Sequence, residues 1–281
     1  MRDAPSAVKV RIRRVRGGDS EDAEDVVAAE EPLEIRVVES HGNHERSHSL
    51  AVTMRTPGDD FALAAGFLFA EGVLRRRADF WRIEHCVEPG RKQEFNVVSV
   101  VLRDKIPLDL SRTLRSFYTT SSCGVCGKAT LDAIKVREPP ALPRDRPRIA
   151  AERLGTWPDA LRARQGVFDR TGGLHAAALF REDGTAPAVK EDVGRHNAVD
   201  KLVGERFLEG DVPLHESAML VSGRASFEIL QKALMAGIPF VAAVGAPSSL
   251  AVDTAQEFGM TLVGFLQGHG FNVYAGPQRV G

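Results

Sequence analysis

AMLVSGRASFEILQKALMAGIPFVAAVGAPSSLAVDTAQEFGMTLVGFL, residues 218–266, decides the fold by alternating two kinds of segment. Residues 218–221, 238–244 and 261–266 are short unbroken apolar runs, the mark of strands buried on both faces. Between them the spacing predicts helices over about 226–236 and 249–258, with Gly237 and Gly259 where helix C-caps belong. Strand and helix alternating in this way make a βαβαβ run, which calls for parallel strands. Just upstream, residues 174–180 and 186–190 flank Glu182-Asp183-Gly184-Thr185 as a hairpin, and a helix follows over 197–208. Residues 271–274 close the chain as an edge strand. The expected class is α/β, a mixed sheet flanked by helices.

The N-terminal half reads as a smaller α+β part. From Val8 to Arg16 apolar and basic residues alternate with period two, a half-buried strand. GGDSEDAED, residues 17–25, reads as a solvated acidic loop. Residues 32–38 and 50–54 are strands joined by a polar connection whose His41, His44 and His48 belong to a hairpin tip, and residues 95–102 form another strand. Thr56-Pro57-Gly58-Asp59-Asp60 is a turn and N-cap cluster before a helix that carries Phe61, Leu63, Phe67 and Leu68 on its packing side and ends at Gly72. Residues 137–170, with five prolines and eight arginines, read as a connector with one short helix. The expected division is 1–25, strand and acidic loop; 26–118, a small α+β domain; 119–170, cysteine loop and connector; and 171–281, the α/β domain.

Composition narrows the function classes. Across 281 residues, 37 Lys+Arg face 38 Asp+Glu, a formal net charge of −1. That balance excludes an electrostatically driven binder of nucleic acid or of membrane surface. The longest apolar run, residues 61–70, is about half of the ~20 residues that span a bilayer. Arg13-Arg14 is followed by no apolar h-region, so the protein is expected in the cytoplasm. Three cysteines are too few for a disulfide framework, so a cysteine that matters here matters chemically.

Two of them stand in Thr119-Thr120-Ser121-Ser122-Cys123-Gly124-Val125-Cys126-Gly127-Lys128. Hydroxyl residues and glycines around a thiol pair describe an exposed, flexible segment. A helix starting near Lys128 would favour thiolate through its positive end and the Lys128 ammonium. Without such help a thiol of pKa ~8.5 is only about 3% ionised at pH 7. Three chemistries fit the pair. A zinc site would need further ligands from Cys86, His85 or the 41–48 histidines, at a spacing that matches no standard pattern. A thioredoxin-like redox pair should follow a strand in a βαβ context. A sulfur carrier would hold a sulfane sulfur as a persulfide on a mobile, accessible thiol.

A second group lies at the C-terminal side. Ser222-Gly223-Arg224 and Gly245-Ala246-Pro247-Ser248-Ser249 each follow a strand and open a helix, and such ends gather on one sheet edge where free N–H groups bind anions. Arg224 could add a bidentate contact there. Lys190-Glu191-Asp192-Val193-Gly194-Arg195-His196-Asn197 is unusually dense in hydrogen-bonding groups just after a strand, and its plainer alternative is a solvated helix start capped by Asp192. Leu266-Gln267-Gly268-His269-Gly270 is a glycine-flanked turn that backbone or ligand can approach closely.

Taken in order, Ala29-Glu30-Glu31-Pro32-Leu33-Glu34-Ile35, Met54-Arg55-Thr56-Pro57-Gly58-Asp59, Gly66-Phe67-Leu68 with Glu71-Gly72, Cys123 to Gly127, Thr171-Gly172-Gly173-Leu174-His175, Glu191 to Asn197 and Ser222-Gly223-Arg224 resemble segments of the FdhD family, from about Val27 to Val280. The resemblance implies a sulfurtransferase required for formate dehydrogenase. It implies a persulfide on Cys123 with Cys126 also involved, sulfur supplied by a cysteine desulfurase, and a homodimer. It also implies binding of the molybdenum bis(molybdopterin guanine dinucleotide) cofactor as cargo at Phe265, Leu266, Gln267, Gly268, His269 and Gly270, with Ser222 and Arg224 on the neighbouring loop. The family's turn often carries a basic residue where this chain has Gln267 and Gly270. A non-catalytic cofactor-binding chaperone for formate dehydrogenase is the alternative. The family's larger domain resembles the cytidine deaminase fold, yet His175-Ala176-Ala177 lacks the deaminase glutamate and no proline precedes Cys123, so the zinc chemistry does not transfer.

Overall fold

The computed structural model describes residues 5–41, 44–86, 93–103, 106, 131–132, 134–135, 137–186 and 188–281. In chain order they form strands β1 (Ala7–Arg16), β2 (Asp19–Ala28), β3 (Glu31–His41) and β4 (His44–Arg55), helix α1 (Asp60–Ala70), β5 (Phe80–His85), β6 (Val97–Leu102), α2 (Ala151–Arg162), α3 (Gly166–Thr171), β7 (His175–Phe180), β8 (Ala188–Asp192), α4 (Arg195–Glu209), β9 (Ala218–Val221), α5 (Phe227–Met235), β10 (Phe240–Ala243), α6 (Ser249–Glu257), β11 (Thr261–Gln267) and β12 (Gly270–Ala275).

Six strands make the larger sheet, in the order β12-β11-β10-β9-β7-β8. β9, β10 and β11 run parallel, while β12 and β7 pair antiparallel to their neighbours, so the sheet is mixed as the sequence pattern requires. Its side chains divide by period two. Ala177, Leu179, Met219, Val221, Val241 and Leu262 face a core shared with α4, α5 and α6. Ala176, Ala178, Phe180, Leu220, Phe240 and Val263 face α2, where Trp157 stacks on Phe180 with ring centroids 4.3 Å apart. The smaller sheet, β4-β3-β6-β5, buries Leu33, Ile35, Val37, Val98 and Val100 against α1 in the same apolar core that holds Leu202 and Phe207 of α4.

Helices α1 and α4 meet through glycine. A Cβ on Gly66 would overlap the Asp200 carbonyl, and one on Gly204 would overlap the Ala62 carbonyl. Both clashes are with backbone, which cannot rotate away. Gly204→Ala is therefore expected to lower unfolding free energy by about 3 kcal/mol, the upper end of ordinary over-packing, read as a reduced urea midpoint.

Three expectations need correction. Residues 19–28 are not a loop but strand β2, paired along all of β1. The strand holds despite its acids because they sit across from bases, Arg13–Asp22 at 3.3 Å, Lys9–Glu24 at 3.6 Å and Arg14–Glu21 at 3.7 Å, and because Gly17 and Gly18 take the positive φ values that a tight hairpin turn needs. The polar connection after residue 38 is likewise mostly strand, and His48 in it pairs with Glu39 at 2.8 Å. The connector holds two helices, α2 and α3. Its proline-rich start hid α2, whose Leu154, Trp157 and Leu161 recur at helical spacing and cover the large sheet.

Candidate functional site at the sheet edge

Because β8 through β11 share one direction, apart from the antiparallel β7, their C-terminal ends line one edge of the large sheet. The segments 193–196, 222–226 and 245–248 follow those ends, the 265–270 turn joins the end of β11 to the start of β12, and His175 stands at the start of β7 on the same edge. This is where ligands bind in open α/β sheets. The loops are tied to one another by main-chain bonds: Gly245 N–H donates to the Gly223 carbonyl at 3.0 Å, Ala225 N–H to Ala246 at 3.2 Å, and Phe265 N–H to Gly245 at 3.1 Å. The structure thus brings together the Ser222–Arg224 loop, the 245–248 loop and the 265–270 turn.

Individual residues play different parts. The Ser222 hydroxyl accepts the Ala176 N–H at 2.8 Å, so it completes the β7–β9 pairing. Arg224 is exposed and has no ion pair or hydrogen bond among the described residues. The Ser248 hydroxyl accepts the Ala251 N–H at 3.2 Å and caps α6. Leu266 is wholly buried in the α2-facing core, so only its backbone can serve the turn, whereas Gln267, Gly268, His269 and Gly270 are exposed. Phe265 is 45% exposed at φ 53°, a left-handed conformation that a bulky residue adopts only under constraint. The register shift between Gly264 and Gln267 makes this a bulge that turns Phe265 outward while Leu266 points in. Cys123 and Cys126 lie outside the described residues.

The 190–197 segment is not a solvated helix start. Asp192 is fully buried and gathers four donors: Lys201 Nζ at 2.7 Å, Gly194 N–H at 2.8 Å, Asn197 Nδ2 at 2.9 Å and Thr56 N–H at 3.2 Å. Lys201 also donates to the Thr56 carbonyl at 2.8 Å, and Asn197 to Met54 at 2.7 Å. This knot pins the N-terminus of α4 to the end of β4. Sequence reasoning saw the density of polar residues but not that tertiary packing buries Asp192 and Asn197 among them.

Pinned there are Arg195 and His196, which the sequence reading did not single out as site residues. Burial, then the nearby Arg195, Lys232 and His175, pushes the His196 pKa down to about 4. Its Nε2 lies 3.0 Å from Glu228 and 3.3 Å from Ser226 Oγ. His175 is also lowered, by burial and then by Arg195. The unfolded chain takes up a proton near pH 6.5 that folded His196 refuses until about pH 4. Its contribution to stability is therefore complete above pH 6.5 and lost as pH falls toward 4. His196→Asn should show a smaller drop in urea midpoint between pH 7 and pH 4.5 than the unmodified protein.

With this geometry established, comparison with known proteins decides the family. The FdhD/NarQ family model matches residues 28–281, almost the whole chain. This chain belongs to the FdhD/NarQ family. It is 55% identical over 276 residues to the sulfur carrier protein FdhD of Streptomyces coelicolor, covering 96% of this chain and 94% of that one. It is 50% identical over 279 residues to the sulfur carrier protein FdhD of Mycobacterium tuberculosis, covering 96% and 97%. A crystal structure described as a formate dehydrogenase accessory protein from Desulfotalea psychrophila superposes with a TM-score of 0.72 at 25% identity, covering 98% of this chain and all of that one. The FdhD/NarQ match begins at Ala28, the last residue of β2, so nearly all of the β1–β2 ribbon stands outside the family model. No helix among the described residues of this family member is long and apolar enough to cross a membrane.

Proposed function

We propose that this FdhD/NarQ member is a sulfur carrier that serves formate dehydrogenase, with Cys123 as the carrying thiol. The observation that supports it most is identity of about half across nearly the full length with proteins named sulfur carriers, in a chain that holds the Cys123-Gly124-Val125-Cys126 pair. The chemistry is transfer between sulfurs. The Cys123 thiolate attacks the outer sulfur of a persulfide on a cysteine desulfurase; a new S–S bond forms, the donor's S–S bond breaks, and the donor leaves as a thiolate. Cys126 either relays that sulfur or attacks the Cys123 persulfide, releasing sulfide and closing a disulfide.

The acceptor in this reading is the molybdenum bis(molybdopterin guanine dinucleotide) group, bound as cargo along the sheet edge. The outward Phe265 offers a stacking face, the exposed Gln267–Gly270 turn offers backbone, and the neighbouring loop carries Arg224, exposed and without an ion pair among the described residues. Incubation with a desulfurase and sulfur-labelled cysteine tests the carrier reading: label retained on the protein and released by a thiol reductant supports it, and unlabelled protein rejects it. For the cargo, GDP is expected to raise Tm by mass action on the folded state, and Arg224→Ala to lose that rise while keeping its own ligand-free Tm. An equal GDP shift in both proteins removes Arg224 from the site.

A further inference from the structure

Arg195 stands apart from the other charged groups around it. Asp192, Lys201, Asp200 and Lys232 are all paired, the last two at 2.7 Å, yet Arg195 has no ion pair and no hydrogen bond among the described residues. Its Nε is fully buried with no acceptor. Leaving a buried donor unsatisfied is unfavourable, more so for a charged group, unless something else supplies the acceptor.

The surroundings say what kind of acceptor is missing. A Cβ built on Gly223 would lie 3.4 Å from His175 Nδ1 and 3.8 Å from Arg195 Cδ, so the guanidinium arm, the imidazole and the side-chain-free loop after β9 converge. Arg195 is the first residue of α4, whose Gly194 N-cap provides no side-chain acceptor for the opening N–H groups. The Asp192 carboxylate, three residues before Arg195 in the chain, is committed to four donors. The Arg195 guanidinium therefore presents donors that no described residue accepts.

We propose that Arg195, His175 and the opening N–H groups of α4, beside Gly223, form a subsite for a phosphate oxyanion. Both a nucleotide pyrophosphate and free inorganic phosphate have the required chemistry: a tetrahedral anion that accepts from a guanidinium and from helix amides together. The inference rests on the cargo reading only for the biological source of the phosphate, and it makes Arg195 a distinct anchor from Arg224.

The charged and titratable groups facing the two histidines are Arg195 and Asp192 for His175, and Arg195, Lys232, His175 and Glu228 for His196. An anion on Arg195 would offset the cation that disfavours their protonation. The test is an NMR titration of the histidine ring signals in the full chain with inorganic pyrophosphate. Saturable shifts of His175 and His196, with both rings titrating at higher pH when ligand is bound, are expected in the unmodified protein. Arg195→Met, which removes no bond the fold uses, should keep its ligand-free Tm and lose the response at least tenfold in affinity, with Arg195→Lys in between. Unchanged pyrophosphate affinity in Arg195→Met, or no saturable shift in the unmodified protein, overturns the subsite. GDP run in parallel separates the two readings. A GDP response that Arg195→Met leaves intact keeps the cargo and overturns the subsite; a pyrophosphate response through Arg195 without any GDP response keeps the subsite and removes the nucleotide as its source.

Discussion

Cys123→Ser should abolish sulfur uptake from a desulfurase and, in a strain lacking the native protein, should reduce formate dehydrogenase activity to background. Serine oxygen cannot hold a sulfane sulfur under these conditions, so no residual carrier activity is expected. GDP binding and Tm should be nearly unchanged, because the substitution exchanges one sulfur atom for oxygen and alters nothing in the described core or sheet edge. Cys126→Ser distinguishes two roles. If Cys126 relays sulfur, the variant still loads Cys123 but fails to activate formate dehydrogenase. Full formate dehydrogenase activity with Cys123→Ser would replace the carrier with a cofactor-binding chaperone.

Asp192→Ala should be the most damaging single change in the described structure. It strands the Lys201 ammonium, 2% exposed, with only carbonyl partners, and frees the Gly194, Asn197 and Thr56 donors at once. Removing one partner of a buried ion pair costs about 3–5 kcal/mol, a large share of the ~5–15 kcal/mol by which domains are stable. The double variant Asp192→Ala with Lys201→Met should be less destabilised than Asp192→Ala alone, since no uncompensated charge remains. Urea unfolding of the four proteins of that cycle reads both effects. Because Asp192 anchors the start of α4, the variant should also lose pyrophosphate binding at Arg195 under conditions where it remains folded.

The parts of this fold that were legible in sequence are those whose signal is local. Strands β9, β10 and β11 are continuous apolar runs because the sheet is covered on both faces, and Gly237 and Gly259 do take the positive φ of a helix end. What escaped depends on a distant partner. Strand β2 reads as loop by its own composition, and becomes strand only because β1 supplies a base opposite each of several acids. Helix α2 was hidden behind Pro158 and the arginines around it, although its Trp157 is among the largest fully buried side chains.

The site divides in the same way. The convergence of 222–224, 245–248 and 265–270 follows from strand direction alone, so the loops could be grouped from topology before any contact was known. Arg195 could not be recognised so. An arginine at a helix start is ordinarily solvated, and only the burial of Asp192 beside it and the close approach of Gly223 make an unpaired guanidinium informative. Ser222 shows the reverse, since its hydroxyl is spent on the Ala176 N–H.

The carrier claim is tested most directly by mass spectrometry of the intact chain after incubation with a cysteine desulfurase and cysteine, followed by peptide mapping of residues 119–128. A gain of about 32 Da, one sulfur atom, is expected on the peptide carrying Cys123, with reversal by a thiol reductant. A chain that gains no sulfur while the desulfurase turns over, or gains it only at Cys86, is not a Cys123 sulfur carrier.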